Sequence, residues 1–147
     1  GYPEHIQTLI EPLDISEIEA SWLAAVLDCE GWIGYRTTIT KTGRGYWMSI
    51  GVGNTNKKLI DRLIKLTGFG AVRFVNNKGT KNKDQWHWNM WRQDEVRSLL
   101  MAVLPYLILK RTQAELLLST PGRNVADKER RAELYKLIGV FNKRGRK

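Results

Sequence analysis

The stretch SWLAAVLDCEGW, residues 21–32, decides how this chain is read. It is apolar as far as Leu27 and then meets two carboxylates, Asp28 and Glu30, with Cys29 between them and Gly31 behind. Ser16 is placed to cap a helix running to about residue 29, with Glu17 and Glu19 where the helix dipole favours acids. On a wheel at about 100° per residue, Ser21, Ala24, Ala25, Asp28 and Cys29 share one arc. Leu23, Val26 and Leu27 share the opposite one. A helix apolar nearly all round is buried on more than one side. The bulky arc fits the chain's own sheet. The small arc, with Trp22 beside it, fits either the later helices of the same chain or the same helix of a second copy. Two-fold pairing of this helix brings two Glu30 carboxylates together at one end. Close carboxylates repel unless a divalent cation binds between or beside them, and hard oxygen ligands suit Mg²⁺. Such a metal beside a basic surface makes a site for phosphodiester hydrolysis.

Downstream, WIGYRTTITKT alternates, GRG turns, and YWMSIGVG alternates again, which predicts a β-hairpin. Asn54 or Thr55 is placed to cap a helix through KKLIDRLIKLTG that ends at Gly68. GAVRFV and DQWHWNMW form a second hairpin around a loop rich in Asn, Lys and Gly. Asp94 starts a helix, Pro105 opens another through YLILKRTQAELLLS, and Asp127 or a neighbour starts the last. The order is α-ββ-α-ββ-α-α-α. It predicts an α+β fold, a four-stranded antiparallel sheet with helices on one face and the other face open. Residues 1–15 read as an N-terminal arm, 16–142 as one domain, and 143–147 as a basic tail.

Parity along the strands gives the open face its chemistry. Ile33, Tyr35, Ile39, Met48, Ile50, Val52, Val72, Phe74, Trp86, Trp88 and Met90 share the core side. Arg36, Thr38, Thr40, Trp47, Ser49, Arg73, Asn77, Gln85, His87 and Asn89 fall on the outward side, together with Trp91. The Arg, Thr, Ser, Gln, His and Asn side chains among them can hydrogen-bond base edges, and Trp47 and Trp91 can touch DNA. Lys41, Arg44, Lys78, Lys81 and Lys83 in the hairpin loops suit phosphates. Charge agrees: the 147 residues carry a net +9, and residues 1–30 hold seven acids and no Lys or Arg. The basic excess therefore sits on the rest of the chain, as a nucleic-acid surface requires. His5 and His87 have no metal-ligand spacing, and no phosphate-cradling glycine loop is present. No apolar run approaches the roughly 20 residues that span a bilayer, and no signal peptide is visible. The lone Cys29 forms no internal disulfide. An intracellular, non-secreted protein with no membrane partner is expected.

LAAVLDCEG, residues 23–31, resembles the nine-residue signature of the LAGLIDADG homing endonucleases, with Ala25 in place of Gly and Glu30 in place of the second Asp. VGNTNKKLIDRLIKLTGFGAV (52–72), RQDEV (92–96) and LPYLILKRTQAELLL (104–118) resemble the same family. The resemblance implies a saddle-shaped sheet in the DNA major groove and signature helices at a central interface. It implies cleavage of both strands across the minor groove, leaving short 3′ overhangs. With one signature per chain, it implies a homodimer reading a long pseudo-palindromic site, with Ser21, Trp22, Ala24, Ala25, Asp28 and Cys29 at the interface. Glu30 matches the acid that binds Mg²⁺ or another divalent cation such as Mn²⁺, and the Cys29 carbonyl faces the same site. Asn54 approximates a residue that orders the water shell. Lys110 matches the lysine near the scissile phosphate. Asp28 is expected to brace neighbouring backbone. The alternatives on the same fold are a DNA-binding regulator that does not cut and an RNA-splicing maturase.

Overall fold

The computed structural model describes residues 10–76, 78–79, 81, 83–119 and 127–144. The arm's first nine residues, Asn77 and residues 145–147 lie outside that set. The elements are α1 (Glu17–Glu30), β1 (Gly31–Thr40), β2 (Gly43–Asn54), α2 (Lys57–Thr67), β3 (Ala71–Val75), β4 (Gln85–Met90), α3 (Gln93–Val103), a 3₁₀ turn (Leu104–Tyr106), α4 (Arg111–Leu118) and α5 (Asp127–Arg144).

Ser16 starts α1 through a capping box. Its hydroxyl accepts from Glu19 N at 3.1 Å, and the Glu19 carboxylate accepts from Ser16 N at 3.0 Å. The Ser16 backbone N–H, and after it the Ser16 hydroxyl beside the carboxylate, hold the Glu19 carboxyl below its ordinary range. α1 runs into β1 with no loop. A Cβ on Gly31 would stand 2.8 Å from the Leu27 backbone, so only glycine permits this step from helix to strand. The sheet is antiparallel throughout, in the order β1-β2-β4-β3. Leu23, Leu27, Ile33, Ile50, Trp88 and Leu99 are fully buried between the sheet and its helices. The Trp88 indole N–H donates to the Phe69 carbonyl at 2.9 Å, so this large ring is buried without an orphaned donor. Leu13 N donates to Ser98 O, and the Ser98 hydroxyl to Glu11 O, which ties the end of the arm to α3.

Four local expectations change. Asn56, not Asn54 or Thr55, caps α2, accepting from Lys58 N at 2.9 Å. α3 begins at Gln93 after Arg92, with no side-chain cap. The segment after Pro105 is not one helix: a 3₁₀ turn is followed by extended Leu107 and a bend over residues 108–110, and α4 starts only at Arg111. Ile39 has core parity yet is 80 % exposed, because it pairs with Arg44 beside the hairpin turn, where β1 has run past the core.

Candidate active site and nucleic-acid interface

The end of α1 is held by a distant segment. Asp28 is buried, and its carboxylate accepts from the backbone N–H groups of Ile108 (2.8 Å), Leu109 (3.0 Å) and Lys110 (3.0 Å). Burying a carboxylate is tolerable only with such partners. These bonds also explain the break after Pro105, since the N–H groups that a continuous helix would use internally are turned to Asp28. In return, Lys110 Nζ donates to the Asp28 carbonyl at 2.8 Å. The last turn of α1 contains no basic residue. Lys110 therefore supplies the cation that the negative end of the helix dipole favours, and its ammonium is fixed two residues from Glu30.

Glu30 is exposed and makes no hydrogen bond or ion pair among the described residues. Cys29 is exposed beside it with a free thiol, and its carbonyl lies in the last turn, where intrahelical partners run out. Gly31 pairs with Val52, so Asn54, two residues on, lies at the same end of the sheet. Its Oδ1 accepts from Asn56 N at 2.8 Å, which fixes the carboxamide in a local turn with its NH₂ and the second oxygen lone pair left for a solvent shell. Among the described residues no three His, Cys, Asp or Glu side chains converge on a metal position. One chain thus offers one free carboxylate and one helix-end carbonyl. That donor set fits a hard cation that keeps several waters, with further oxygens supplied from outside the chain.

The open face of the sheet follows from the register. Arg36 faces Trp47, Asn89 lies between Gly51 and Ala71, and His87 lies between Gly53 and Arg73. No Asp or Glu occupies an outward strand position. A concavity of about 380 Å³ opens here, lined by Arg36, Trp47, Ser49, Arg73, Asn89 and Trp91. Arg36 Nε donates to Ser49 Oγ at 3.2 Å and its guanidinium stands 5.7 Å from the Trp32 ring, so Ser49 is buried beneath it. Ser49 Oγ thereby holds the Arg36 side chain in place. Burial first, then the charges of Arg73 and Arg36, hold His87 below its usual pKa. The Thr40 hydroxyl donates to Gly43 O at 2.6 Å and closes the hairpin turn, whereas Thr38 is exposed without such a bond. Lys41, Lys78, Lys81 and Lys83 are exposed in the hairpin loops, and Arg44 is exposed at the start of β2.

No protein-family model and no curated protein matches the sequence. Solved structures do. The homing endonuclease I-CvuI, determined with its DNA target and calcium, aligns at a TM-score of 0.73 with 22 % identity, over 85 % of this chain and 82 % of its own. The archaeal intron-encoded I-Vdi141I, in complex with DNA, aligns at 0.67 with 12 % identity, over 85 % and 84 %. The LAGLIDADG enzyme I-GzeII, also on DNA, aligns at 0.54 with 13 % identity over 67 % of this chain but 33 % of its own. The chain has the LAGLIDADG homing-endonuclease fold. At these identities the fold is what is shared.

Within the LAGLIDADG fold, the faces of α1 differ from the wheel by part of a turn. Ala24 and Asp28, two of the residues expected at the two-fold interface, are buried by the chain itself, because Asp28 is drawn toward residues 108–110 and Ala24 stands one turn behind it. The exposed stripe is Ile18, Ser21, Ala25 and Cys29, with Trp22 half-buried under the Arg62 guanidinium at 6.0 Å. Ile108 and Leu109, whose N–H groups bind Asp28, add side chains that are 82 % and 69 % exposed. Sequence reading missed both. Inside a supposed helix they look like ordinary core positions, and only the contact with Asp28, some 80 residues away, turns them out. Among the described residues no helix is long and apolar enough to cross a membrane.

Proposed function

We propose that this chain is a site-specific, divalent-metal-dependent endonuclease that cuts double-stranded DNA as a homodimer. One observation carries the reading: an exposed, unpaired Glu30 carboxylate at the end of α1, beside a Lys110 ammonium locked to the same helix end by Asp28. The DNA-bound neighbours of the same fold and the acid-free, Arg-lined sheet face support DNA as the partner.

Glu30, the Cys29 carbonyl and their copies in a second subunit would hold the cation. A bound Mg²⁺ or Mn²⁺ supplies a more acidic water and offsets phosphate charge. The chain's own residues do the rest. Lys110 puts a fixed positive charge near the phosphate, where charge builds up in the transition state. Asn54 offers its amide to a water between itself and the helix end. Arg36, Arg73 and the loop lysines hold the DNA backbone, and Gln85, His87 and Asn89 meet base edges. The exposed stripe of α1 with Ile108 and Leu109 is the pairing surface, and a second copy brings the second carboxylate.

The test is a plasmid carrying a target selected from a randomised duplex library, incubated with protein and Mg²⁺ or Mn²⁺. Linear product with short 3′ overhangs is expected. Tight binding without cutting at any divalent metal overturns the enzymatic reading in favour of a DNA-binding regulator. RNA bound far better than duplex DNA would favour a maturase.

A further inference from the structure

The outward face of β2 is bare beside β4, beyond Trp47 and Ser49. Where the strand pairs with β4, over Ile50–Asn54, its outward positions are Gly51 and Gly53, the second lying just past the end of β1. Glycine weakens a strand interior, because it loses more chain entropy on folding and packs nothing. Neither residue has a positive φ, so the backbone does not require glycine at either place. The requirement comes from the neighbouring strand. A Cβ on Gly51 would stand 2.6 Å from Asn89 Nδ2, with the next atom, the Trp88 carbonyl oxygen, at 3.5 Å. A Cβ on Gly53 would stand 3.1 Å from Gln85 Oε1 and from both Cε1 and Nε2 of His87. The close contacts are thus all with the ends of outward β4 side chains. Gly31 and Gly70 differ, since there an added Cβ meets backbone at 2.8 and 2.6 Å.

Laid over β2, these side chains acquire a defined hydrogen-bonding pattern. His87 Nε2 lies 3.1 Å from Gln85 Oε1. With the amide oxygen as the acceptor, the tautomer that satisfies this contact carries its proton on Nε2. The neutral ring is then left with Nδ1 as an acceptor, and Gln85 with its NH₂ as a donor. The Asn89 carboxamide offers a second donor beside an acceptor. A donor next to an acceptor complements adenine N7 and N6 in the major groove. Residues two apart on a strand are separated by about 6.8 Å, which is two base-pair steps of about 3.4 Å.

We propose that Gly51 and Gly53 are specificity-positioning residues: by leaving the face of β2 bare, they seat the Asn89 carboxamide and the Gln85–His87 pair to read adenine-containing base pairs two steps apart. This rests on the open face being the DNA surface.

The test compares the wild-type chain with Gly51→Ala, Gly53→Ala, Asn89→Ala and Gln85→Ala. Each is used to select bound sequences from a randomised duplex library, with thermal melting alongside. The wild type is expected to select adenine at two positions of each half-site, two steps apart. Gly51→Ala loses about tenfold in preference at the position that Asn89→Ala also flattens. Gly53→Ala does so at the position that Gln85→Ala flattens, and preference elsewhere in the site is kept. Both glycine variants melt close to the wild type, because the new methyl meets only side-chain ends. An unchanged selection, a uniform loss across the whole site, or a glycine variant that fails to fold overturns the inference. A wild-type chain that selects no sequence at all sinks the DNA-binding reading beneath it instead.

Discussion

Asp28 and Glu30 stand two residues apart and are held in opposite ways. Asp28 is buried and spends its carboxylate on three backbone N–H groups, whereas Glu30 is exposed and spends its carboxylate on none of the described residues. A brace and a reactive group are distinguished by that difference, which DxE spacing alone does not give. Asp28→Ala leaves three donors facing an apolar methyl and releases the 108–110 turn. It should lower stability by about 3 kcal/mol, measured by chemical denaturation; a loss below about 1 kcal/mol would mean that the turn holds itself. His87 gives a pH signature. Because burial and the two arginines depress its folded pKa, the unfolded chain takes up a proton from pH 6.5 downward before the folded chain does. Its contribution to stability is present above pH 6.5 and is lost as pH falls through the folded pKa. The melting temperature of the wild type should therefore fall more steeply on acidification than that of His87→Gln. Equal slopes would contradict the assignment.

Among elements, α1 carries the most weight. One of its faces packs the core through Leu23 and Leu27, another holds Asp28 against the 108–110 turn, and a third is left to solvent as Ile18, Ser21, Ala25 and Cys29. Charging that third face should break self-association. Wild type is expected to run as a dimer in light scattering and Ala25→Glu as a monomer with unchanged circular dichroism. A monomeric wild type, with and without DNA, would overturn the pairing. The helix, both hairpins and the two sheet faces were legible because they rest on local periods: 3.6 residues for α1, two for the strands, and Gly-rich turns between them. What was not legible depended on distant partners. The rotation of α1 that buries Ala24 and Asp28 is set by residues 108–110. Residues 106–119, opened by Pro105, read as a helix because Leu107, Ile108 and Leu109 give no sign that Asp28 takes the backbone donors. In Asn54-Thr55-Asn56 each residue is able to cap, and Asn56 does so because Asn54 turns its oxygen back to Asn56 N. Thr40 and Ser49 had outward parity, but parity does not reveal that one closes a turn and the other lies under Arg36.

At the scale of the molecule, charge and shape point the same way. The net +9 is concentrated away from acid-rich α1, and the open sheet face carries Arg36 and Arg73 with no carboxylate. Binding should therefore be strongly salt-dependent. If about six phosphates are neutralised, affinity falls on the order of 10³-fold between about 50 and about 200 mM salt. A nearly flat salt dependence in a filter-binding assay would argue that the open face is not the DNA surface. The fold itself is shared with DNA-bound homing endonucleases at identities of 22 % and below, so what remains to be tested is whether this chain's own residues perform the chemistry. The decisive measurement uses one duplex selected by the wild-type protein, assayed for binding and for strand cleavage in Mg²⁺ with wild type and Glu30→Gln side by side. Glu30→Gln should bind within a few-fold of the wild type and cut at least about 100-fold more slowly. Cutting at near wild-type rate by Glu30→Gln would contradict the metal role of Glu30.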